Sequence, residues 1–294
     1  MTEHHLRFGL VVRWWTLEPF VLAVLLLGGG LYARGLLRIW SRMGRGRGLR
    51  AWEAWCFGAG WLSLWVALVS PLDRLSDILF STHMAQHEIL MVVAAPLIVL
   101  GRPFLPVLWA LGPSPREALG AWARRPGVRR AWGWLTGPCV VLLLHGAAIW
   151  LWHAPFFFQA ALASETVHAF QHLCFFWTAA LFFWALVQGG YGRLGYGVAV
   201  LFVFATSVHT SVLGALLTFA SRLWYPVYAG RSAAWGVAPL ADQQLAGLYM
   251  WIPSGMTFLV IGLGLLAAWV GEAERRVALG HPDLVGSRAA MPDA

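Results

Sequence analysis

Lysine is missing from this chain: all 21 basic residues are arginines. A retinal Schiff base requires a lysine amine, so that seven-helix chemistry is excluded at once. Charge of either sign is scarce, at 12% of 294 residues, about half the ~25% usual in soluble domains. Cysteine is rare as well. Cys56, Cys139 and Cys174 are scattered through apolar stretches with no Cys-x-x-Cys spacing, and read as buried packing residues with no structural disulfide. No nucleophile–base motif is recognisable, so a hydrolytic enzyme has little support, and no internal repeat is defensible.

What is present is apolar length. Hydrophobic residues make up 59% of the chain, in runs that approach or exceed the ~18 residues needed to span a bilayer as helix. The fold class expected is all-α: a polytopic membrane helix bundle of seven transmembrane helices, over 18–40, 52–70, 82–101, 135–153, 165–188, 195–220 and 242–270. The domain plan is a 1–17 outer N-terminal tail, an 18–270 membrane domain and a polar, disordered 271–294 cytoplasmic tail. Within the membrane domain, 102–134 contains five prolines and an Arg/Trp-bearing stretch from Arg116 to Arg130. It reads as an amphipathic segment on the headgroups or as a solvated loop. The first apolar run has no small-residue cleavage motif after it and reads as a retained helix, not a signal peptide.

The net charge of +8 does not indicate nucleic acid, because the arginines sit in short loops between apolar segments. With these spans, sixteen arginines fall on one side, among them Arg42, Arg45, Arg47, Arg50, Arg124, Arg125, Arg129 and Arg130. Five fall on the other: Arg7, Arg13, Arg74, Arg222 and Arg231. The positive-inside rule makes the first side cytoplasmic, with the N-terminus outside and the C-terminus inside.

Seven of the ten histidines lie in the apolar segments, and four form two His-x-x-x-His pairs, His83/His87 and His168/His172. Residues four apart share a helix face, so each pair projects two imidazoles in one direction. The orientation puts both pairs within the first turns of helices that enter from outside. His153 ends the fourth span, His145 lies ~12 Å deeper, and His209 lies ~16 Å below the outer end of the sixth, at ~1.5 Å per residue. All seven therefore fall in the outer half of the membrane. A histidine at membrane depth must be desolvated and partnered, which makes it a functional candidate by default. The plain alternatives are interhelical hydrogen bonds for His145 and His209 and an interface position for His153. His4, His5 and His281 lie in exposed tails.

Further polar residues fall at the same level. Gln86 and Gln171 precede the second histidine of each pair and are candidate outer-shell donors. Asp242 is read either as a helix N-cap or as a carboxylate partner of the cluster. Glu88 points about 100° away from His87 on its helix, toward a proton-linked role or another helix. Met84, Met250 and Met256 offer soft sulfur, although packing is the commoner use of methionine. Imidazole suits copper, zinc and iron, and thioether tilts the choice to Cu(I). A low-charge ion also suits a site without water.

At these residues the sequence resembles the multi-spanning caa3-type cytochrome c oxidase assembly factors, the CtaG family. The matching segments are Ser70-Pro71-Leu72-Asp73, HMAQHEILMVVAAPLIVLGRP from His83, WHAPFFFQAAL from Trp152, VHAFQHLCFFW from Val167 and DQQLAGLYMW from Asp242, within roughly 20–270. The resemblance implies a multi-pass inner (plasma) membrane protein that matures a haem–copper oxidase, with oxidase subunits, the lipid bilayer and a periplasmic copper chaperone as partners. It carries the family's histidine motifs onto His83, His87, His153, His168 and His172. Glu88 departs from it, since an apolar residue is expected there.

Three functions follow in order. The first is a non-enzymatic assembly factor that binds or delivers copper from the outer side. The second is a cytochrome b-like electron carrier with haem between helices three and five. The third is a metal transporter, disfavoured because the inner halves of these helices offer few polar residues.

Overall fold

The computed structural model describes residues 14–187 and 191–280. Among these every regular element is helical: α1 Pro19–Met43, α2 Ala51–Leu68, α3 Pro71–Ser76, α4 Phe80–Leu100, α5 Phe104–Ala110, α6 Pro113–Ala123 and α7 Pro126–Leu135. They continue with α8 Pro138–His153, α9 Pro155–Ala163, α10 Glu165–Val187, α11 Tyr191–Thr218, α12 Tyr228–Ala233 and α13 Pro239–Gly280. The all-α expectation holds. His4, His5 and His281 and the segments 1–13 and 281–294 lie outside the described residues.

Among the described residues five helices are long and apolar enough to cross a membrane: α1, α4, α10, α11 from Gly195, and α13 to Arg275. A sixth span is available if α7 and α8, which meet at 57°, are taken together. The 52–70 segment is helical as expected, but Glu53 and four tryptophans dilute its apolarity. The 135–153 segment starts at Pro138, because Gly137 and Pro138 break the chain from α7 and leave α8 with 16 residues. The stretch 113–135 forms two proline-initiated helices that bury no residue. A missing N–H costs nothing in the first turn of a helix, so Pro113 and Pro126 fix where they begin. The last helix runs past Gly271 to Gly280, and the rest of the tail expected to be disordered lies outside the described residues. Cys139 is exposed, not packed, and all three cysteines are free.

α4 is the central helix. In its most apolar window 61% of residues are buried, against 17% for α1 and α13. One apolar cluster joins it to α8, α10, α11 and α13, and a second joins it to α1 and α2. From Ile89 to Ala94 its winding is π-helical. Pro96 follows after Ala95 and cannot donate to the carbonyl four residues back. A local π-turn lets the helix pass a proline without stranding that carbonyl. α11 and α13 approach through facing glycines: a Cβ on Gly247 would lie 2.5 Å from the Thr218 backbone nitrogen and 2.7 Å from the Gly214 oxygen. Small residues at such crossings let backbones touch. Gly247→Leu is expected to separate α13 from α11 and lower stability by about 1–3 kcal/mol. A thermal melt in detergent no lower than that of the wild type would show that the crossing tolerates the side chain.

Candidate metal centre

The backbones of α4 and α10 pack closely along the π segment and the C-terminal turns of α4, but not along its first turns. The gap at that end is filled by imidazoles. His83 and His87 stack along one face of α4, with ring centroids 4.3 Å apart, and His168 and His172 along α10, at 4.2 Å. Across the gap His83 lies 5.0 Å from His168, and His87 lies 5.2 Å from His172. One ligand nitrogen from each of His83, His87 and His168 falls within 4.8 Å of the others. A metal–nitrogen bond of ~2.0–2.1 Å sets two ligands on one ion at most about 4 Å apart. Closing on an ion therefore takes less than an ångström of side-chain movement.

The hydrogen bonds decide which nitrogens are free. The Tyr228 hydroxyl donates to the Ser76 carbonyl (2.9 Å), so its oxygen accepts from His83 Nδ1–H (3.2 Å). Burial first, and the charge of Asp77 second, raise the Tyr228 phenol well above its ordinary pKa, keeping that proton in place. His83 Nε2 is then a bare lone pair. It has no hydrogen-bond partner, and neither do either nitrogen of His87, His168 Nε2 or His172 Nε2, although all are buried. Five of the eleven buried, partnerless side-chain N and O atoms among the described residues belong to these four histidines. Leaving a buried polar group unsatisfied costs ~1–3 kcal/mol. Such a concentration is what a ligand set looks like before its ion.

His153 extends the site. Its Nδ1–H donates to the Ile149 carbonyl (2.7 Å), so a neutral ring turns the Nε2 lone pair toward Met84 Sδ, 3.4 Å away. Two Lewis bases face each other there with no proton between them, and His153 lies 6.4 Å from His87. Phe158 and Phe175 wall the cluster, 5.0 Å from His83 and 4.7 Å from His87.

The remaining candidates fall elsewhere. Asp242 neither caps its own helix nor touches the cluster. It accepts from Phe80 N (2.7 Å), Ser81 N (3.1 Å) and Ser81 Oγ (2.5 Å), capping α4 from α13. Gln86 donates to the Ala67 carbonyl and to Asp73, holding α2 and the start of α3 against α4 and making no bond to a histidine. Gln171 is buried without partners. Glu88 accepts from Ser254 Oγ (2.6 Å) and, with His145 and Met250, lines a separate cavity. His209 packs beside Gly146 of α8, outside the cluster, and Met256 is exposed. Tyr228, Ser76 and Asp77 were missed. Asp77 stands near His168, its carboxyl raised by burial first and by Asp73 second, against the opposing effects of His168 and Arg231.

The family model described as Cytochrome c oxidase caa3 assembly factor (Caa3_CtaG) matches residues 30–272. This chain belongs to that family. Within the caa3 assembly factor family, the matched region contains every histidine of the cluster and both helices that carry the pairs. The chain is also similar to an uncharacterized protein of Mycobacterium leprae (strain TN), 26% identical over 281 residues, covering 90% of this chain and 40% of the relative. Uncharacterized proteins of Mycobacterium bovis and Mycobacterium tuberculosis are each 28% identical over 247 residues, covering 78% of this chain and 36% of theirs. This chain thus spans well under half the length of these curated relatives. No solved structure matches it.

Proposed function

We propose that this caa3 assembly factor is a non-enzymatic membrane protein that takes up copper from the outer side and passes it to a haem–copper oxidase. The observation that carries this reading is the set of buried, partnerless imidazole nitrogens drawn from two helices, three of them within 4.8 Å. Neutral imidazoles with an adjacent thioether suit Cu(I), whose single charge is the least costly to hold away from water. Copper is cargo here, and its source and recipient are a periplasmic copper chaperone and oxidase subunits. The setting is the plasma membrane, with α2 and α8 completing seven spans, the N-terminus outside, the arginine-rich side inside, and α6 and α7 on the inner headgroups. Haem is the weaker alternative, because imidazoles in mutual contact leave space for an ion, and a macrocycle would require α4 and α10 to part. A transporter is weaker still, since the cavity at the inner end, among Pro96, Leu186 and Leu265, is apolar.

The test is anaerobic titration of the purified full-length protein with Cu(I) against a chromophoric chelator. Wild-type protein is expected to outcompete the chelator. Tyr228→Phe removes the oxygen that fixes the His83 tautomer and is expected to weaken binding by about 10–100-fold. Wild-type protein that never competes for Cu(I), or that purifies with a Soret band, overturns the copper reading.

A further inference from the structure

One helical turn inward from the histidine cluster is a cavity of about 20 Å³ lined by Glu88 and Met91 of α4, His145 of α8, Thr210 of α11, and Met250 and Ser254 of α13. That is room for a single water-sized occupant. The protons of its polar lining are all committed elsewhere. Ser254 Oγ–H donates to one Glu88 oxygen. Thr210 Oγ–H is directed to the Thr206 carbonyl (2.9 Å). Thr178 Oγ–H goes to the Cys174 carbonyl (2.7 Å), so the Thr178 oxygen accepts from His145 Nδ1–H (3.0 Å) and His145 Nε2 is left as a lone pair. Glu88 and His145 are 7% and 3% exposed. Among the described residues the ion pairs are Arg102–Glu53 and Arg275–Glu272, so no side-chain cation balances Glu88.

Beside the apolar Val92, Ile149, Phe183 and Phe258, the lining therefore presents an imidazole nitrogen, two hydroxyl oxygens, two thioether side chains and the Glu88 carboxyl, and with Glu88 ionised these polar groups are all Lewis bases with no N–H or O–H left to donate. A water molecule can donate two hydrogen bonds there and accept none. A cation satisfies every group. A single carboxylate neutralises a single positive charge, which selects a monovalent ion in a medium where net charge is costly. Thioether and imidazole together select soft Cu(I) over an alkali cation. We propose that this cavity is a second Cu(I) site, separate from the histidine cluster. It is the inner of two stations, and His87 and Glu88, adjacent on α4, each belong to one of them. The choice of copper rests on the function proposed above, whereas the cation-binding character rests on the cavity alone.

Copper equivalents bound by full-length protein in detergent distinguish the two sites, using Cu(I) itself as the probe. Wild-type protein is expected to hold an equivalent that Glu88→Gln loses and an equivalent that the double variant His83→Leu/His172→Leu loses. X-ray absorption on that double variant is expected to show sulfur ligation that is reduced in the added Met250→Leu background, a swap of similar volume. If Glu88→Gln and Met250→Leu both retain the full wild-type stoichiometry, the second site is overturned and the histidine site stands. If the double histidine variant retains all its copper and Glu88→Gln retains none, the inner site stands and the cluster reading falls. Wild-type protein that binds no Cu(I) overturns both.

Discussion

Replacing His87 or His172 with leucine is expected to leave the protein in the membrane and to reduce the activity of its client oxidase by about tenfold or more, the scale of losing a metal site's support. The substitution removes nitrogens that already lack partners and fills the space with a side chain of similar volume. Trading a buried unsatisfied polar group for an apolar one is neutral or stabilising, because its desolvation cost of ~1–3 kcal/mol disappears. The variants are therefore expected to melt at or above the wild-type temperature. A histidine that merely holds helices together predicts the reverse, a less abundant factor. Factor abundance and oxidase activity measured in the same cells separate the two, and excess copper is expected to restore part of the activity. Wild-type oxidase activity in cells that contain normal amounts of both variants would sink the copper-handling function.

Asp242→Ala is expected to have the opposite signature. Asp242 stands on α13, yet its carboxylate receives the first two backbone N–H groups of α4 and the Ser81 hydroxyl. Phe80, Ser81 and Asp242 are all buried, so no water replaces it. Two stranded N–H groups at ~1–3 kcal/mol each bring the expected loss to about 2–6 kcal/mol, a large part of the stability of most proteins. The factor itself is expected to vanish from the membrane, and oxidase activity with it. Asp242→Asn keeps one acceptor oxygen and is expected to fall between. Full abundance of Asp242→Ala would mean that the start of α4 is held by something other than this cap.

Those two outcomes mark where the sequence was legible and where it was not. The pairs His83/His87 and His168/His172 could be read because i,i+4 spacing on a helix is a local rule, and their convergence followed from placing both at the same end of their spans. His153 was reached only through its helix end and the family resemblance. Met84 was one of three methionines that offered soft sulfur, and what the sequence did not show is that its sulfur faces the His153 nitrogen. Asp242 was read as a cap for the right chemical reason but on the wrong helix, since nothing in a linear pattern shows which N-terminus a carboxylate will reach across 162 residues. Tyr228 carries no motif at all, and its importance comes from one proton committed to Ser76 and one lone pair left for His83. Glu88 stood out as a charge in an apolar run, but its hydrogen-bond partner, Ser254, comes from α13, 166 residues away. The fold was most legible where apolar runs are long. It was least so in α2, where Glu53 and the tryptophans blur the signal, and around Gly137-Pro138, where a bend replaces a straight span.

The π-helical turn in α4 gives that helix two angular phases. Its N-terminal part shows imidazoles to α8 and α10 and a carboxylate to α13, and its C-terminal part shows only aliphatic side chains to α2 and α10. A wide turn amounts to one residue inserted into an otherwise regular helix and absorbed without breaking it. Six π-wound residues turn through about the same angle as five α-wound ones, so removing a single residue between Ile89 and Ala94 would restore regular winding and leave the histidine face near its present angle to the C-terminal end of α4. The wide winding of this six-residue stretch thus sets where the ligands point, and a change that regularised it at unchanged length would turn the histidine face by about 100°.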